Sequence, residues 1–268
     1  MRSILFEIPI PEFLQSLGLP SSFPIFGYGF FILIAFLVVN YWAGLRAKRF
    51  NYDPKYIQDI STSGLLAGVL GARVTHVVLY NDHYLHWTDF FKIYEGGLVL
   101  YGFLLTTPVV IYLKLKKLGI SWEKFYTIFI PTIPLGIGIG RLGCFMNGCC
   151  YGSLGNQSWC VVFPEDTLPF QTFGNQPIHP SQIYAFILGL TLSIILTFLP
   201  KFIKNMNGFH IFYSFLAGYG CSRLIEEFFR ADTPKHFANI LTAGQTVSIG
   251  LIIFAIIAFY VKPFKKHD

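Results

Sequence analysis

Five charged residues stand in or at the ends of long apolar stretches: Arg73, Arg141, Arg223, Glu226 and Glu227. In hydrocarbon each costs at least about 2.5 kcal/mol unless it meets water or a partner. Tyr219, Arg223, Glu227 and Arg230 are spaced i, i+4, i+8 and i+11, so on a helix they form one polar stripe, with Glu226 expected to point elsewhere. The pair Arg223 and Glu227 could simply hold helices together or could serve a function. Three buried guanidinium groups set against two adjacent glutamates leave a cationic excess, and such a cavity suits a phosphate or carboxylate. Phospholipid head groups are the anions most available at a membrane.

Residues 130–152 read IPTIPLGIGIGRLGCFMNGCCYG, which puts Pro131, Pro134 and a run of glycines around Arg141. A smooth helix is not expected there. Broken backbone at membrane depth is tolerated where it lines a cavity, and free amide groups beside Arg141 would help cradle an anion. The glycines alone fit close helix packing, as Gly64 and Gly68 do further upstream. In HPSQIYA, His179 precedes a proline suited to a helix's first turn. Ser181 and Gln182 could bond a polar head group or cap the helix, and the sequence leaves both open.

Cys144, Cys149, Cys150 and Cys160 cluster, whereas Cys221 lies apart. A disulfide from Cys160 to Cys149 or Cys150, or inert thiols, is the first expectation in an oxidising compartment. A thiol at Cys144 or Cys150 activated by Arg141 comes second. Metal binding comes last, because neither CxxC spacing nor suitably placed histidines accompany these thiols. His76, His83 and His86 read as interfacial anchors rather than a ligand set. No P-loop, GxSxG, HExxH or dinucleotide fingerprint occurs, so no cofactor and no metal are expected.

The elements that must position these residues follow from composition. Of 268 residues, 53% are hydrophobic and 13% charged, about half the charged share of a soluble domain. With 18% aromatic residues and no low complexity, disorder, collagen and coiled coil are excluded. Seven stretches are long enough to cross a bilayer as helices: 24–43, 57–80, 97–113, 125–146, 180–199, 209–230 and 242–261. The fold class is therefore an all-α integral membrane protein, a single polytopic domain over 1–268 with an extracytoplasmic segment at about 147–179. With the N-terminus outside, the inner loops carry Arg46, Lys48, Arg49 and Lys55, then Lys114, Lys116, Lys117 and Lys124, then Lys201 and Lys204, then Lys262, Lys265 and Lys266. Outside remain Arg2, Lys92 and Lys235, with Arg230 at a span end, which is a positive-inside pattern for N-out, C-in. Topology thus accounts for the net charge of +6, and no nucleic-acid partner is implied. The start is broken by Glu7, Glu12 and prolines, so no cleavable signal is expected, and positions 11–22 predict a short interfacial helix.

Several of these pieces, in this order, resemble one family, the bacterial prolipoprotein diacylglyceryl transferases. They are GYGFFILIAF around Tyr28, EGGLVLYG at 95–102, GRLGCFMNGCCYG at 140–152, HPSQIY at 179–184, GYGCSRLIEEFFRAD at 218–232 and GQ at 244–245. The resemblance implies a seven-span inner-membrane enzyme that moves the diacylglyceryl group of phosphatidylglycerol onto the lipobox cysteine of a prolipoprotein signal peptide, releasing glycerol phosphate. It implies that Arg141 and Arg223 neutralise the phosphate as it leaves, with Glu227 orienting Arg223. Tyr28 and Tyr219 would line the site, Gly152 would permit close backbone approach, and Arg230 would sit at the head-group end. His179, Ser181 and Gln182 match a motif tied to local architecture near the outer face.

The sequence departs from the family pattern at four places. Tyr101 stands where a histidine thought to assist thiol deprotonation is usual, and Cys144 stands for an asparagine. Cys149 and Cys150 replace Glu-Leu, and Ala185 replaces a glutamate. A tyrosine ordinarily titrates at about 10, so Tyr101 needs a nearby cation to act as a base. Three readings therefore stand beside one another: the family reaction, a paralogous transferase with another acceptor, and an anionic-lipid-binding or transport protein.

Overall fold

The computed structural model describes residues 4–15, 21–84, 86–91, 96–237 and 240–261. The chain divides into two compact units, Met1–Val39 with Phe129–Asp268, and Asn40–Ile128. The first unit begins with a hairpin of β1 (Ile4–Pro9) and β2 (Ser22–Phe26), with α1 (Glu12–Gln15) between the strands. The interfacial helix expected over 11–22 is thus reduced to Glu12–Gln15 and gives way to strand at Ser22, while 16–20 lie outside the described residues. Strand β2 contains Pro24, and it delays the first long helix, α2 (Gly27–Arg49), by three residues against expectation.

The second unit packs α3 (Pro54–Leu79) against α4 (Leu100–Leu118). Asp53 starts α3: its side chain accepts from the Lys55 amide, and Pro54 needs no donor in the first turn. Gly119, in the left-handed region, ends α4. Small residues let these helices approach closely: a Cβ on Gly71 would lie 2.8 Å from the Gly102 carbonyl oxygen. Arg46 of α2 donates to the carbonyls of Ile128 and Thr127 at 2.8 and 2.7 Å, tying α2 to α5 (Trp122–Phe129).

A single turn of 310 helix, Ile130–Thr132, separates α5 from α6 (Ile133–Asn147). The expected break is therefore real, but Pro131 and Pro134 make it, and the glycines themselves are regular helix. Ser193 of α8 (Ser181–Phe202) donates to the Pro131 carbonyl beside that break. Gly136, Gly140 and Gly143 face Val39, Ile32 and the Tyr28 backbone of α2, whereas Gly138 faces Phe186 of α8. A Cβ on Gly189 of α8 would lie 2.5 Å from the Pro134 oxygen, so two stripes of small residues let α6 nest between its neighbours. The expected cradle of free amides beside Arg141 is overturned, because those amides belong to α6.

Past α6 the segment carries α7 (Leu168–Phe173) and is fastened by isolated bridges from Leu154 and Val161 to Ile178 and from Gly152 to Arg230. Helix α9 (Gly208–Phe229) starts on a capping box of Asn207 and His210, then packs on α8 and on α10 (Ala243–Val261); the two-stranded pair β3 (Lys235–Phe237) and β4 (Leu241–Thr242) joins α9 to α10.

Each of the seven expected stretches is helical over most of its length. Five are long and apolar enough to cross a membrane: α2, α3, α5 to α6, α8 and α10. Of the others, α4 carries Lys114, Lys116 and Lys117, and α9 carries Arg223, Glu226 and Glu227. Exposed Leu33, Leu66, Leu105, Ile195 and Ile257 give the long helices greasy outer faces, as lipid contact requires. The interior-loop charges expected at 262, 265 and 266, and the outside ones at Arg2 and Lys92, lie outside the described residues.

Candidate functional site

The charged stripe of α9 meets Arg141 of α6 in the first unit. Glu226 is only 3% exposed and Glu227 5%. Glu226 Oε2 lies 2.7 Å from Arg223 Nη1 and 3.3 Å from Arg141 Nη2, so one carboxylate oxygen is shared by guanidinium groups from two helices. The expectation that Glu226 points elsewhere is corrected: a glutamate side chain is long enough to reach round a helix from the neighbouring position. Its contact with Arg223 is a charge contact rather than an aligned hydrogen bond, since Nη1 lies off the donor direction.

Glu227 is held harder. Its Oε1 is 2.5 Å from Arg223 Nη2, and its Oε2 accepts from Thr242 at 2.7 Å and Thr233 at 3.0 Å. Gly244, in the first turn of α10, makes this possible, because a Cβ there would lie 2.6 Å from Glu227 Oε1. Arg230 approaches Glu226 and Glu227 at 3.8 and 3.6 Å and makes a two-pronged bond to Asp232 at 2.9 and 3.0 Å. Of the three arginines expected to give a cationic excess, Arg141 and Arg223 are matched here by Glu226 and Glu227 while Arg73 belongs to the second unit, so that excess is not found; Arg230, which joins the cluster, is matched by Asp232. Glu226, Thr233, Thr242 and Asp232 are absent from the sequence-based site. Their only sequence signals are adjacency to the stripe and, for Gly244, the matched GQ.

The cluster walls an open cleft, about 350 Å³ counting the solvent at its mouth, lined by Arg141, Tyr219, Arg223 and Glu226 together with Pro134, Ala185 and Leu188. Charge is at one side and apolar side chains at the other, a fit for an amphiphile with an anionic end. Arg141 keeps 17% side-chain exposure, and its one hydrogen bond among the described residues is the long one to Glu226. With five N–H donors, it keeps most of its hydrogen-bonding capacity.

Ser181 donates to the Cys150 carbonyl and Gln182 to the Cys149 carbonyl, each at 2.7 Å, and both residues are fully buried. They fix the chain that leaves α6, which favours architecture over head-group bonding. His179 Nδ1 meets the Tyr184 hydroxyl at 3.0 Å and its ring packs on Phe229. A Cβ on Gly152 would overlap the His179 carbonyl, so the close approach expected at Gly152 is made to its own chain. Ser153 donates to Phe229 O at 2.7 Å and Ala231 to Tyr151 O at 3.1 Å, which ties residues 151–153 to the end of α9 and brings Arg230 to the thiols.

All five cysteines are free thiols, so the disulfide expected at Cys160 is absent. Cys160 instead lies 3.5 Å from Gln157 Oε1 and 3.9 Å from His179 Nδ1. The sulfurs of Cys144, Cys149 and Cys150 all fall within 4.8 Å of one another. Thiol hydrogen bonds from Cys144 and Cys149, then the nearby Arg230 and Arg141, hold the Cys150 thiol well below the ordinary thiol range. Tyr28, in the first turn of α2, lies in electrostatic reach of Arg141 and these three cysteines. Tyr101 belongs to the second unit, in the first turn of α4, with its side chain 73% exposed.

The helices and this cluster define a multi-pass membrane protein with a charged cleft between α6, α8 and α9. A family model described as prolipoprotein diacylglyceryl transferase matches residues 16–261. The chain belongs to that family. It is 29% identical over its whole length, and that of the relative, to the phosphatidylglycerol--prolipoprotein diacylglyceryl transferase of Clostridium tetani. The protein of the same name from Buchnera aphidicola subsp. Baizongia pistaciae is 30% identical, over 95% of this chain and 99% of its own. That of Neisseria meningitidis serogroup C is 32% identical, over 81% and 83%.

Proposed function

We propose that this protein transfers the diacylglyceryl group of phosphatidylglycerol to the lipobox cysteine of prolipoproteins. The observation that carries the reading is the sharing of Glu226 Oε2 by Arg141 and Arg223 at the wall of an amphiphilic cleft. A phosphate entering there accepts from the unspent donors of Arg141 and from Arg223, while the acyl chains follow the apolar wall. The acceptor sulfur attacks the glycerol carbon that bears the phosphate. A C–S bond forms as the C–O bond breaks, and glycerol phosphate leaves with the electron pair. Charge grows on the departing oxygen, so both guanidinium groups stabilise the transition state more than the bound lipid.

Glu227, fixed by Thr242 and Thr233, orients Arg223. Tyr28, Tyr219 and Cys144 line the site, and Arg230 marks the head-group end. Gly152, His179, Ser181 and Gln182 hold the loop that carries this end. Tyr101 assists removal of the thiol proton. The whole chain acts as one polytopic domain of the bacterial inner membrane, with seven spans, the N-terminus outside, the C-terminus inside and 147–179 extracytoplasmic. In that frame the inner-loop lysines and arginines sit against the anionic cytoplasmic leaflet.

The test is mass spectrometry of a lipobox-bearing peptide incubated with the purified protein and phosphatidylglycerol in detergent. A diacylglyceryl thioether with released glycerol phosphate is expected. A folded, lipid-binding preparation that yields neither overturns the proposal.

A further inference from the structure

Cys144, Cys149 and Cys150 are spaced C-x4-C-C, which is no recognised ligand motif, and their convergence is made by the backbone. Gly148 ends α6 in the left-handed region at φ 69°, and the Cys149 amide bonds back to the Cys144 carbonyl at 3.1 Å. Cys150 also adopts positive φ, at 59°, a conformation with a real cost outside glycine. Together the two turns fold residues five and six positions downstream back over Cys144. The bonds from Ser181 and Gln182 to the Cys150 and Cys149 carbonyls then hold the reversal in place.

We infer that these three thiols form a binding site for a soft, thiophilic d10 metal ion of the zinc class. Zinc–sulfur bonds of about 2.3 Å set sulfurs about 3.8 Å apart in a tetrahedron. The present spread of at most 4.8 Å is close to that spacing. Three thiolates and one divalent ion carry a net negative charge, and Arg230 and Arg141 lie in electrostatic reach of Cys150 to balance it. Metal uptake releases the thiol protons. The fourth position is left for water or an exogenous ligand. The site follows from the sulfur geometry and does not rest on the transfer reaction proposed above, although Cys144, Arg141 and Arg230 belong to both.

Full-length protein, reduced and then freed of reductant in detergent, is titrated with cadmium as a spectroscopic probe and with zinc as competitor. A single equivalent of cadmium is expected to raise a sulfur-to-metal charge-transfer band that zinc abolishes. Cys149→Ser and Cys150→Ser are each expected to weaken binding at least about tenfold, whereas Cys221→Ser leaves it unchanged. Independently of any variant, bound zinc should protect Cys149 and Cys150 of the unaltered protein from alkylation while Cys221 still reacts. Absence of the band, equal binding by the Cys150→Ser protein, or no protection overturns the site. So does the finding that these thiols are blocked as isolated and freed only by reductant, which would make the cluster a disulfide instead.

Discussion

Arg73 and Arg141 are both arginines in the middle of apolar helices, and the two regions around them treat the same charge in opposite ways. Arg73 of α3 is 4% exposed and spends its fork on backbone: Nε bonds Phe90 O at 2.9 Å, Nη1 bonds Gly96 O and Gly97 O at 2.8 and 3.1 Å, and Nη2 bonds Asp89 O at 2.5 Å. Arg46 is used in the same manner at the Ile128 and Thr127 carbonyls. Arg73 thus commits four hydrogen bonds of its five-donor fork to backbone carbonyls, where Arg141 makes one, among the described residues, to a carboxylate. Arg141 instead shares one carboxylate oxygen with Arg223, at long range, at the wall of a cleft. The cost of burying a charge is the same on both sides. What separates a staple from a site is how many donors remain.

The sharpest way to break this contrast is to remove one arginine of each kind. Arg141→Ala should cut the transfer rate by about 10³-fold, comparable to losing a strong donor to a developing oxyanion, while membrane insertion and thermal unfolding change little. Retained transfer would take the phosphate role from Arg141. Arg73→Ala should do the reverse. Leaving buried carbonyls without their donor should destabilise the protein by about 3 kcal/mol, read as a loss of melting temperature in detergent. Loss of transfer without loss of stability in that variant would collapse the distinction.

The same contrast explains which parts of the molecule can be read from sequence. Long apolar stretches are local signals, and the helices they announce are present within a few residues. The stripe Tyr219, Arg223 and Glu227 is legible because helical period is local too, whereas Arg230 lies just past the end of α9 with extended backbone and reaches the cluster from there. Glu226 is not, because period assigns a direction to the Cα–Cβ bond and says nothing of how far a flexible side chain bends back. Arg73 is grouped by sequence with Arg141, since the carbonyls that accept from it lie 16 to 24 positions away, in the short 310 helix Trp87–Phe91 and at Gly96 and Gly97 before α4. The glycines of α6 show the same limit: their composition fits a broken cradle and a packing stripe equally, and only the neighbours at Val39, Phe186 and Tyr28 decide for packing. The thiol trio depends on two left-handed residues, Gly148 and Cys150, that no spacing rule encodes.

Tyr101 sharpens the comparison from the side of the staple. Arg73 clamps Gly96 and Gly97, and the Ala72 carbonyl accepts from the Val99 amide at 3.1 Å, so the clamp fixes the approach to the turn that presents Tyr101. Tyr101→Phe should lower the transfer rate by about 10²-fold, the lower range of general base catalysis, with no change in melting temperature. Arg73→Ala, corrected for its folded fraction, should lower the rate no further than this, because loosening the approach cannot cost more than removing the hydroxyl. Tyr101→His should restore activity and bring a rate that rises as pH passes the histidine range near 6.5. An unaffected Tyr101→Phe enzyme would leave the second unit with a scaffold role alone.

The smallest expected effect separates holding a loop from holding a substrate. Ser181 is fully buried, and its hydroxyl ends on the Cys150 carbonyl. Ser181→Ala should therefore cost about 1 kcal/mol of stability, the price of one neutral hydrogen bond, seen as a small drop in melting temperature. The Michaelis constant for phosphatidylglycerol should stay where it was, since the hydroxyl faces its own chain. A raised Michaelis constant with an unchanged melting temperature would instead mean that Ser181 turns toward the lipid in the working complex. The line drawn here between residues that spend their donors on backbone and those that keep donors for a ligand would then fail at its most buried member.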